Sequence, residues 1–497
     1  MQLTIPILIP KKMAEATFKA DIKFKTKARV TKRTVDVSEA FGIGIDDEHH
    51  FVVYDNFTVE INKGGIVYLT GDSGSGKSLL LKQLTVKMSK SKEFGKVITD
   101  KEIEEEIDPR KSLVEQVGKD TGDAIRILSI AGLNEAFLML RKYKELSDGQ
   151  KYRFRLAKMI DCGADTWVTD EFVALLDRTT AKVVAYTIQK AARKLGKTVI
   201  VATTHTDLDQ DLNPSIRIFK HFGSKVDVDY RKINPKRPCS LLKKIIIEKG
   251  SIEDYNRLKQ FHYRDSQIRL VKAIYRAVLN GEVIGVIVYG SPHLNLRVRS
   301  IVLPSLKKQE NETLSDHAKR VNKNIVRIWR VVVDPKYRGT GIASLLVKNT
   351  MPLLNMPYVE VLAVMARYSK FFDAAGMLRV PEEFYLHYDK AYEKSLEMLR
   401  SFGFDLELLS SKNHNIRILR SLPKGKVEQV RDIALKHFVA DKFRKPVLKE
   451  ALLQYDLESI AKALTGKRLP YAYLIWKNPR FKNKPDPIQY CSCFDGD

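Results

Sequence analysis

The sequence is short of cysteine, of long apolar runs and, in its second half, of acidic residues. Only four cysteines occur in 497 residues: Cys162, Cys239, Cys491 and Cys493. Cys491 and Cys493 make CxC rather than the CxxC of most zinc sites, and no matching His/Cys pair stands nearby. This speaks against a disulfide framework or a structural zinc and for free thiols in a reducing cytoplasm. No apolar stretch approaches the ~18–20 residues of a membrane helix. The best, EVIGVIVYG (Glu282 to Gly290), is strand-length and opens on a charge. The opening MQLTIPILIP has neither a basic n-region nor a cleavage site, so a secretory signal is not expected. The chain is expected to be cytoplasmic and not to span a membrane, although serving a separate membrane subunit stays open. Repeats and low-complexity tracts are missing too. Hydrophobic residues at 44% and charged residues at 29% describe a globular chain rather than a disordered one. The length calls for two to four domains.

The acidic deficit is uneven. Residues 1–230 carry 37 Lys and Arg against 33 Asp and Glu, whereas residues 231–497 carry 49 against 27. The first part is near neutral and the second has a net charge of +22. Such a surface attracts polyanions through counterion release, so nucleic acid is the expected partner.

Periodicity divides the chain at KINPKRPCS (Lys232 to Ser240), a connector with two prolines. Before it, FVVYDNFTVEI, GIVYLTG, TWVTDEF and TVIVATTH read as strands alternating with helices, which predicts a parallel sheet covered on both faces. After it, Asn280-Gly281 joins two apolar runs as a hairpin. IVRIWRVVVDP and YVEVLAVMA are further strands, and the last ~95 residues read as mostly helical. Three segments result: 1–230, 231–400, and a basic extension, 401–497. The extension is expected either to complete the second domain or to contact nucleic acid through its mixture of basic and aromatic side chains.

Gly71-Asp72-Ser73-Gly74-Ser75-Gly76-Lys77-Ser78 fits GxxxxGK[ST] between a strand and a helix. Its glycines let backbone N–H groups face phosphates, Lys77 reaches the β/γ-phosphates, and Ser78 is a ligand for Mg²⁺. Thr166–Thr169 is an apolar strand running into Asp170, a second Mg²⁺ ligand, and Glu171, which can polarise a water. His205 ends another strand, where it could sense the γ-phosphate. Leu146-Ser147-Asp148-Gly149-Gln150 and Leu175-Leu176-Asp177 complete the set. In this order and spacing the motifs resemble the ABC-ATPase family over roughly residues 35–225. The resemblance implies ATP and Mg²⁺ as cofactors. It also implies a homodimer in which Ser147 and Gly149 close over the partner's γ-phosphate, with Gln150 a further ATP-binding residue and Asp177 in the loop linking the two sites. The family's glutamine loop is not clear, and Gln116 is taken as its metal-contacting residue. Phe41 is either a core side chain or a platform for adenine.

In the second half, Val333 ends a strand and Arg338-Gly339-Thr340-Gly341-Ile342-Ala343 opens a helix. Arg338-x-x-Gly341-x-Ala343 resembles the acyl-CoA motif of GNAT acetyltransferases. Val333, Arg338, Gly339, Thr340, Gly341 and Ala343 are then the expected contacts of acetyl-CoA or another acyl-CoA. The tyrosine acid of many such enzymes is replaced by Phe372, and Tyr368 is offset by a turn. FHYRDSQIRL, GEVIGVIVYGSP and RIWRVVVDPKYRGTGIASLLV resemble the bacteriophage Mom proteins, which modify adenine in DNA. That likeness implies His262 and Tyr263 as acid/base residues or as ligands of a metal such as iron. The expected fold is α/β, with a P-loop ABC ATPase domain followed by an α+β GNAT-like domain and a helical C-terminal extension. The expected activities are ATP hydrolysis and acyl transfer to a nucleic-acid base, DNA before RNA. Acetylation of RNA or protein, or an ATP-driven DNA clamp without transferase chemistry, are the alternatives.

Overall fold

The computed structural model describes residues 15–481 except 47, 236, 263–267, 269, 385–389, 439–449, 451–453, 455 and 467–470. It forms two compact units. The first comprises the chain up to Gly290 together with Ile328–Leu354; the second comprises Ser291–Arg327 and the chain from Asn355.

In the first unit, β1 (Glu15–Thr26) and β2 (His49–Asn62) form an antiparallel pair. A six-stranded sheet follows, built from β3 (Ile66–Gly71), β4 (Val97–Thr99), β5 (Thr166–Thr169), β6 (Thr198–Ala202), β7 (Ile216–Lys220) and β8 (Val226–Tyr230). Their order is β4-β5-β6-β3-β7-β8, parallel throughout except for β8. Strands β3, β5 and β6 are buried at every position, because successive side chains enter opposite cores. Ile66, Tyr68, Trp167, Val199 and Val201 share one cluster; Val67, Leu69, Val168, Ile200 and Ala202 share the other. Helix α1 (Lys77–Ser89) contributes Leu80, Leu81, Leu84 and Met88 to the second cluster, beside Phe18, Ile22, Val59 and Ile61 of β1 and β2. Helices α2 (Thr121–Ile130), α3 (Asp148–Asp161) and α4 (Arg178–Leu195) cover the first. Among the described residues no helix is long and apolar enough to cross a membrane.

The same unit holds β9 (Ile246–Lys249), β10 (Val271–Leu279), β11 (Glu282–Gly290) and most of β12 (Ile325–Val333), in the order β12-β11-β10-β9. Leu279 pairs with Glu282 across Asn280 (φ 51°) and Gly281 (φ 84°), the two left-handed residues of a primed hairpin turn. Helix α5 (Ile342–Thr350) follows β12 and lays Leu346 against the bare face of Gly285.

The second unit contains β13 (Tyr358–Ala363), β14 (Leu378–Arg379) and β15 (Ala472–Lys477), with β15 between the other two and antiparallel to both. Part of the C-terminal stretch therefore completes a sheet. The helices Lys390–Ser401, Lys412–Ser421, Lys424–Ile433 and Leu457–Leu464 close a separate core around Leu399, Phe404, Leu419, Val430, Ile460 and Leu464. Beside β13 lies a buried ion pair. Arg299 donates from Nε and Nη2 to the two Glu360 carboxylate oxygens at 2.9 Å each, and the Tyr473 hydroxyl donates to the same carboxylate at 3.0 Å.

Candidate functional site

Three parallel neighbours, β5, β6 and β3, end at the same sheet edge. That register delivers Asp170 and Glu171, His205, and the loop 71–78 to one place, as ligand sites of open α/β sheets require. The loop's shape depends on its glycines. Gly71, Gly74 and Gly76 have φ of 134°, 72° and 99°. A Cβ on Gly71 would strike the Lys220 carbonyl and one on Gly76 would strike Val53 Cγ1, whereas Gly74 faces open space. Ser73, Gly74 and Ser78 are exposed. The Lys77 ammonium donates to the carbonyls of Gly71 (3.0 Å) and Asp72. Burial pulls its pKa below the usual lysine value, opposed by Asp72 and Asp170. An arriving phosphate would exchange two carbonyl dipoles for full negative charge.

Three buried polar atoms at this edge lack a partner: Ser75 Oγ, Thr169 Oγ1 and His205 Nε2. The His205 backbone is fixed by Thr70 and Tyr68, whose hydroxyls donate to its carbonyl. The Arg178 guanidinium donates to His205 Nδ1, which places the ring proton on Nε2. A buried N–H without an acceptor fits a phosphate oxygen. The hydroxyl of Ser78 and the carboxylate of Asp170 are the hard oxygen donors that Mg²⁺ takes. Gln116 does not fit that role in this conformation. Its side-chain oxygen accepts from the Asp108 N–H at 3.0 Å and its amide donates to the Lys111 carbonyl at 3.1 Å. Glu171 is exposed with φ 49°, and Val173 two residues on has φ 56°. Left-handed backbone at two side-chain-bearing residues marks a strained turn at the strand end.

Ser147 caps α3 reciprocally with Gln150: the Ser147 Oγ accepts from the Gln150 N–H at 3.4 Å, and Gln150 Oε1 accepts from the Ser147 N–H at 3.1 Å. This leaves Ser147 exposed at a helix N-terminus, whose free N–H groups suit an anion. Gly149 lies under Leu175 and Leu176. Asp177 caps α4, accepting from the amides of Thr179 and Thr180 and from the Thr180 hydroxyl. Burial acts to raise the Asp177 pKa, but those bonds and nearby Lys336 bring it below the usual carboxylate value. Phe41 is 78% exposed, so it is not a core side chain.

The loop after β12 is only half available. Gly339 and Gly341 have φ of 88° and 103°, and Gly341 opens α5 without a side-chain cap. Gly341 is exposed, and Ala343 is half-buried. Val333 is spent on its own loop, its carbonyl accepting from Arg338 Nε at 2.8 Å. Thr340, expected to offer a hydroxyl, is buried and donates to the Tyr337 carbonyl at 2.7 Å. Each guanidinium nitrogen of Arg338 donates to a backbone carbonyl. Phe372 is buried, so no tyrosine acid is available at that position, and Tyr368 is 39% exposed. His262 ends a short 3₁₀ turn, its N–H donating to the Lys259 carbonyl; Tyr263 lies outside the described residues. Among the described residues no group of three or more His, Cys, Asp or Glu could hold a metal ion, so none of them supports the iron expected beside His262.

The family described as "ABC transporter" matches residues 54–174, and the family described as "Acetyltransferase (GNAT) family" matches residues 241–353. The chain joins an ABC ATPase domain to a GNAT acetyltransferase domain. The ATPase domain is similar to the methionine import ATP-binding protein MetN of Streptococcus pyogenes serotype M18, at 24% identity over 47% of this chain and 70% of that protein. It is also similar to a bacterial ABC transporter cassette solved as a dimer, at 18% identity, TM-score 0.30, 37% of this chain and 94% of that one. A post-hydrolysis dimer of that cassette, bound to ADP and Pi, matches at 17% identity, TM-score 0.31, 44% of this chain and 100% of that one. ATP hydrolysis and acyl transfer are the activities these two domains support.

Sequence reasoning passed over Ser75, Thr169 and Arg178. The first occupies a variable position of the phosphate loop, the second merely precedes Asp170, and the third acts through His205, 27 residues away. Gly76→Ala is expected to weaken ATP binding about tenfold or more, through a Cβ collision with Val53 and strain of roughly 1–3 kcal/mol. Calorimetric titration with ATP checks this; unchanged affinity would mean that the loop can relax around a methyl group.

Proposed function

We propose that the GNAT domain transfers an acyl group from acyl-CoA to an amino group of a nucleic-acid base, with DNA the preferred polymer, and that the ATPase domain drives this as a homodimer. The observation that carries the reading is the net charge of +22 on residues 231–497, against +4 on the rest. In the transfer, the base nitrogen attacks the thioester carbonyl, the C–S bond breaks, and CoA thiolate leaves with the electron pair. The nitrogen's proton passes to His262 and from there to thiolate or solvent. An exocyclic base amine is a weak nucleophile, and this step needs a base positioned beside it. A base within a duplex must first be flipped out, at a cost of a few kcal/mol. One phosphate loop and one signature per chain call for two copies, each placing Ser147 and Gly149 over the other's ATP. The cytoplasm, where ATP, acyl-CoA and nucleic acid meet, is the setting.

Mass spectrometry of nucleosides from cells with and without the protein tests the proposal. A new deoxyadenosine adduct is expected; modified tRNA beside unchanged DNA would overturn the choice of polymer. Binding of duplex DNA by the full chain is expected to fall linearly in log affinity with log salt, by about 0.9 per phosphate neutralised. A flat response would remove the charge argument.

A further inference from the structure

Arg338 stands at the head of the acyl-CoA loop, yet all three of its guanidinium nitrogens are occupied by carbonyl oxygens. Nε donates to Val333 at 2.8 Å, Nη1 to Asn134 at 2.8 Å and Nη2 to Phe261 at 3.0 Å. Asn134 belongs to the ATPase domain, between α2 and the Ala136–Leu140 helix. Gly339, the next residue, packs on the same domain: a Cβ there would lie 2.9 Å from Thr187 Cγ2 on α4. One side of the loop is therefore closed by the ATPase domain, while Gly341 has open space before it. Among the described residues Arg338 has no carboxylate within hydrogen-bond distance. A buried guanidinium bonded only to carbonyl dipoles, with the Glu135 and Asp334 carboxylates acting on it from beyond hydrogen-bond distance, is incompletely compensated, and a pyrophosphate would supply direct countercharge with fork-shaped geometry.

Both ATPase elements at this joint are tied to the nucleotide machinery, α4 directly and the Asn134 segment through α3. Helix α4 starts beside Asp177 with Arg178, bonded to His205, and reaches Thr187 nine residues later, about 14 Å along the axis. Helix α3 starts at the signature. Its Arg153 donates to the Gly149 carbonyl at 3.2 Å and to the Gly132 carbonyl at 2.8 Å, two residues before Asn134. Lys336, in the turn between β12 and Arg338, acts electrostatically on Asp177. A packed element thus connects each helix N-terminus to one side of the acyl-CoA loop.

We propose that the ATPase domain gates acyl-CoA binding: the Gly132–Asn134 segment and α4 hold the Arg338–Gly339 side of the loop closed, and ATP engagement at the starts of α3 and α4 releases it. This rests on the reading of 338–343 as an acyl-CoA loop. Acetyl-CoA affinity of the full-length Glu171→Gln chain, measured by calorimetry without nucleotide and with saturating Mg-ATP, tests it. Binding about tenfold or more tighter with ATP is expected, with acetyl-CoA tightening ATP by the same factor. Thr187→Arg, a wedge at Gly339 away from the ATP site, is expected to give the tight affinity without nucleotide. Equal or weaker affinity with ATP overturns the gate and leaves the acyl-CoA reading standing. Acetyl-CoA binding in no state, the Thr187 variant included, removes both.

Discussion

Glu171→Gln is expected to lower ATP turnover by about 10²–10⁴-fold while leaving ATP binding intact. The residue sits where β5 stops. Its N–H donates to Asp170 Oδ1 at 3.0 Å, and its φ of 49° turns the exposed side chain away from the strand line. Glutamine has the same length and the same backbone demands, so the strained turn is retained. What disappears is a carboxylate able to accept a proton from the attacking water. Lys77, Ser78 and Asp170 are untouched, so the variant should still take up Mg-ATP and, in the proposed homodimer, accumulate as an ATP-bound pair. Phosphate release under steady state and size-exclusion chromatography with ATP check the two halves of this expectation. Normal turnover would move the base elsewhere along the sheet edge; a variant that stays monomeric with ATP would count against the two-copy sandwich.

The second large effect concerns stability. Glu360→Ala is expected to destabilise the second unit by about 3–5 kcal/mol, because it leaves the Arg299 guanidinium buried without its countercharge. The pair is dry: the side chains are 2% and 0% exposed, and both Glu360 oxygens are used. Arg299 would keep only its bonds to the His293 and Leu294 carbonyls. Burial pushes the Tyr473 phenol well above its ordinary pKa, so this neighbour stays a neutral donor and cannot supply the lost charge. Replacing both partners, as Arg299→Met with Glu360→Leu, should recover most of the loss, since the desolvation cost then vanishes as well. Trp476, paired across from Val359, reports on the sheet in urea titrations once Trp167 and Trp329 are changed to phenylalanine. A single variant no less stable than the parent would show that water reaches Arg299.

The phosphate loop, the Asp170-Glu171 strand end and His205 were legible because their chemistry forces residue types at short range. Left-handed turns demand glycine, and parallel strands bring their ends together in register. The Asn280-Gly281 hairpin was readable for the same local reason. Gln116 is held in this conformation by a loop hydrogen bond, its side-chain oxygen accepting from the Asp108 N–H eight residues away, which no spacing announces. Arg338 and Thr340 fit a motif, but their partners are set by tertiary packing: the Arg338–Asn134 bond spans 204 residues. Strand β15 was missed inside a stretch read as helical, since AYLIW is too short to separate from a buried helix segment by periodicity.

The position of β15 also bears on how the chain is made. Strand β13 pairs Tyr358 with Lys477 and Ala363 with Ala472. During synthesis this edge waits for about 110 further residues, roughly 5–20 s at ordinary translation rates. For that interval the nascent chain displays an apolar strand with unsatisfied amides, the situation that invites off-pathway pairing between neighbouring ribosomes. Of the helices made in the meantime, Lys412–Ser421 carries three basic side chains and no acidic one, and repulsion between copies of it would help to hold such chains apart until β15 arrives.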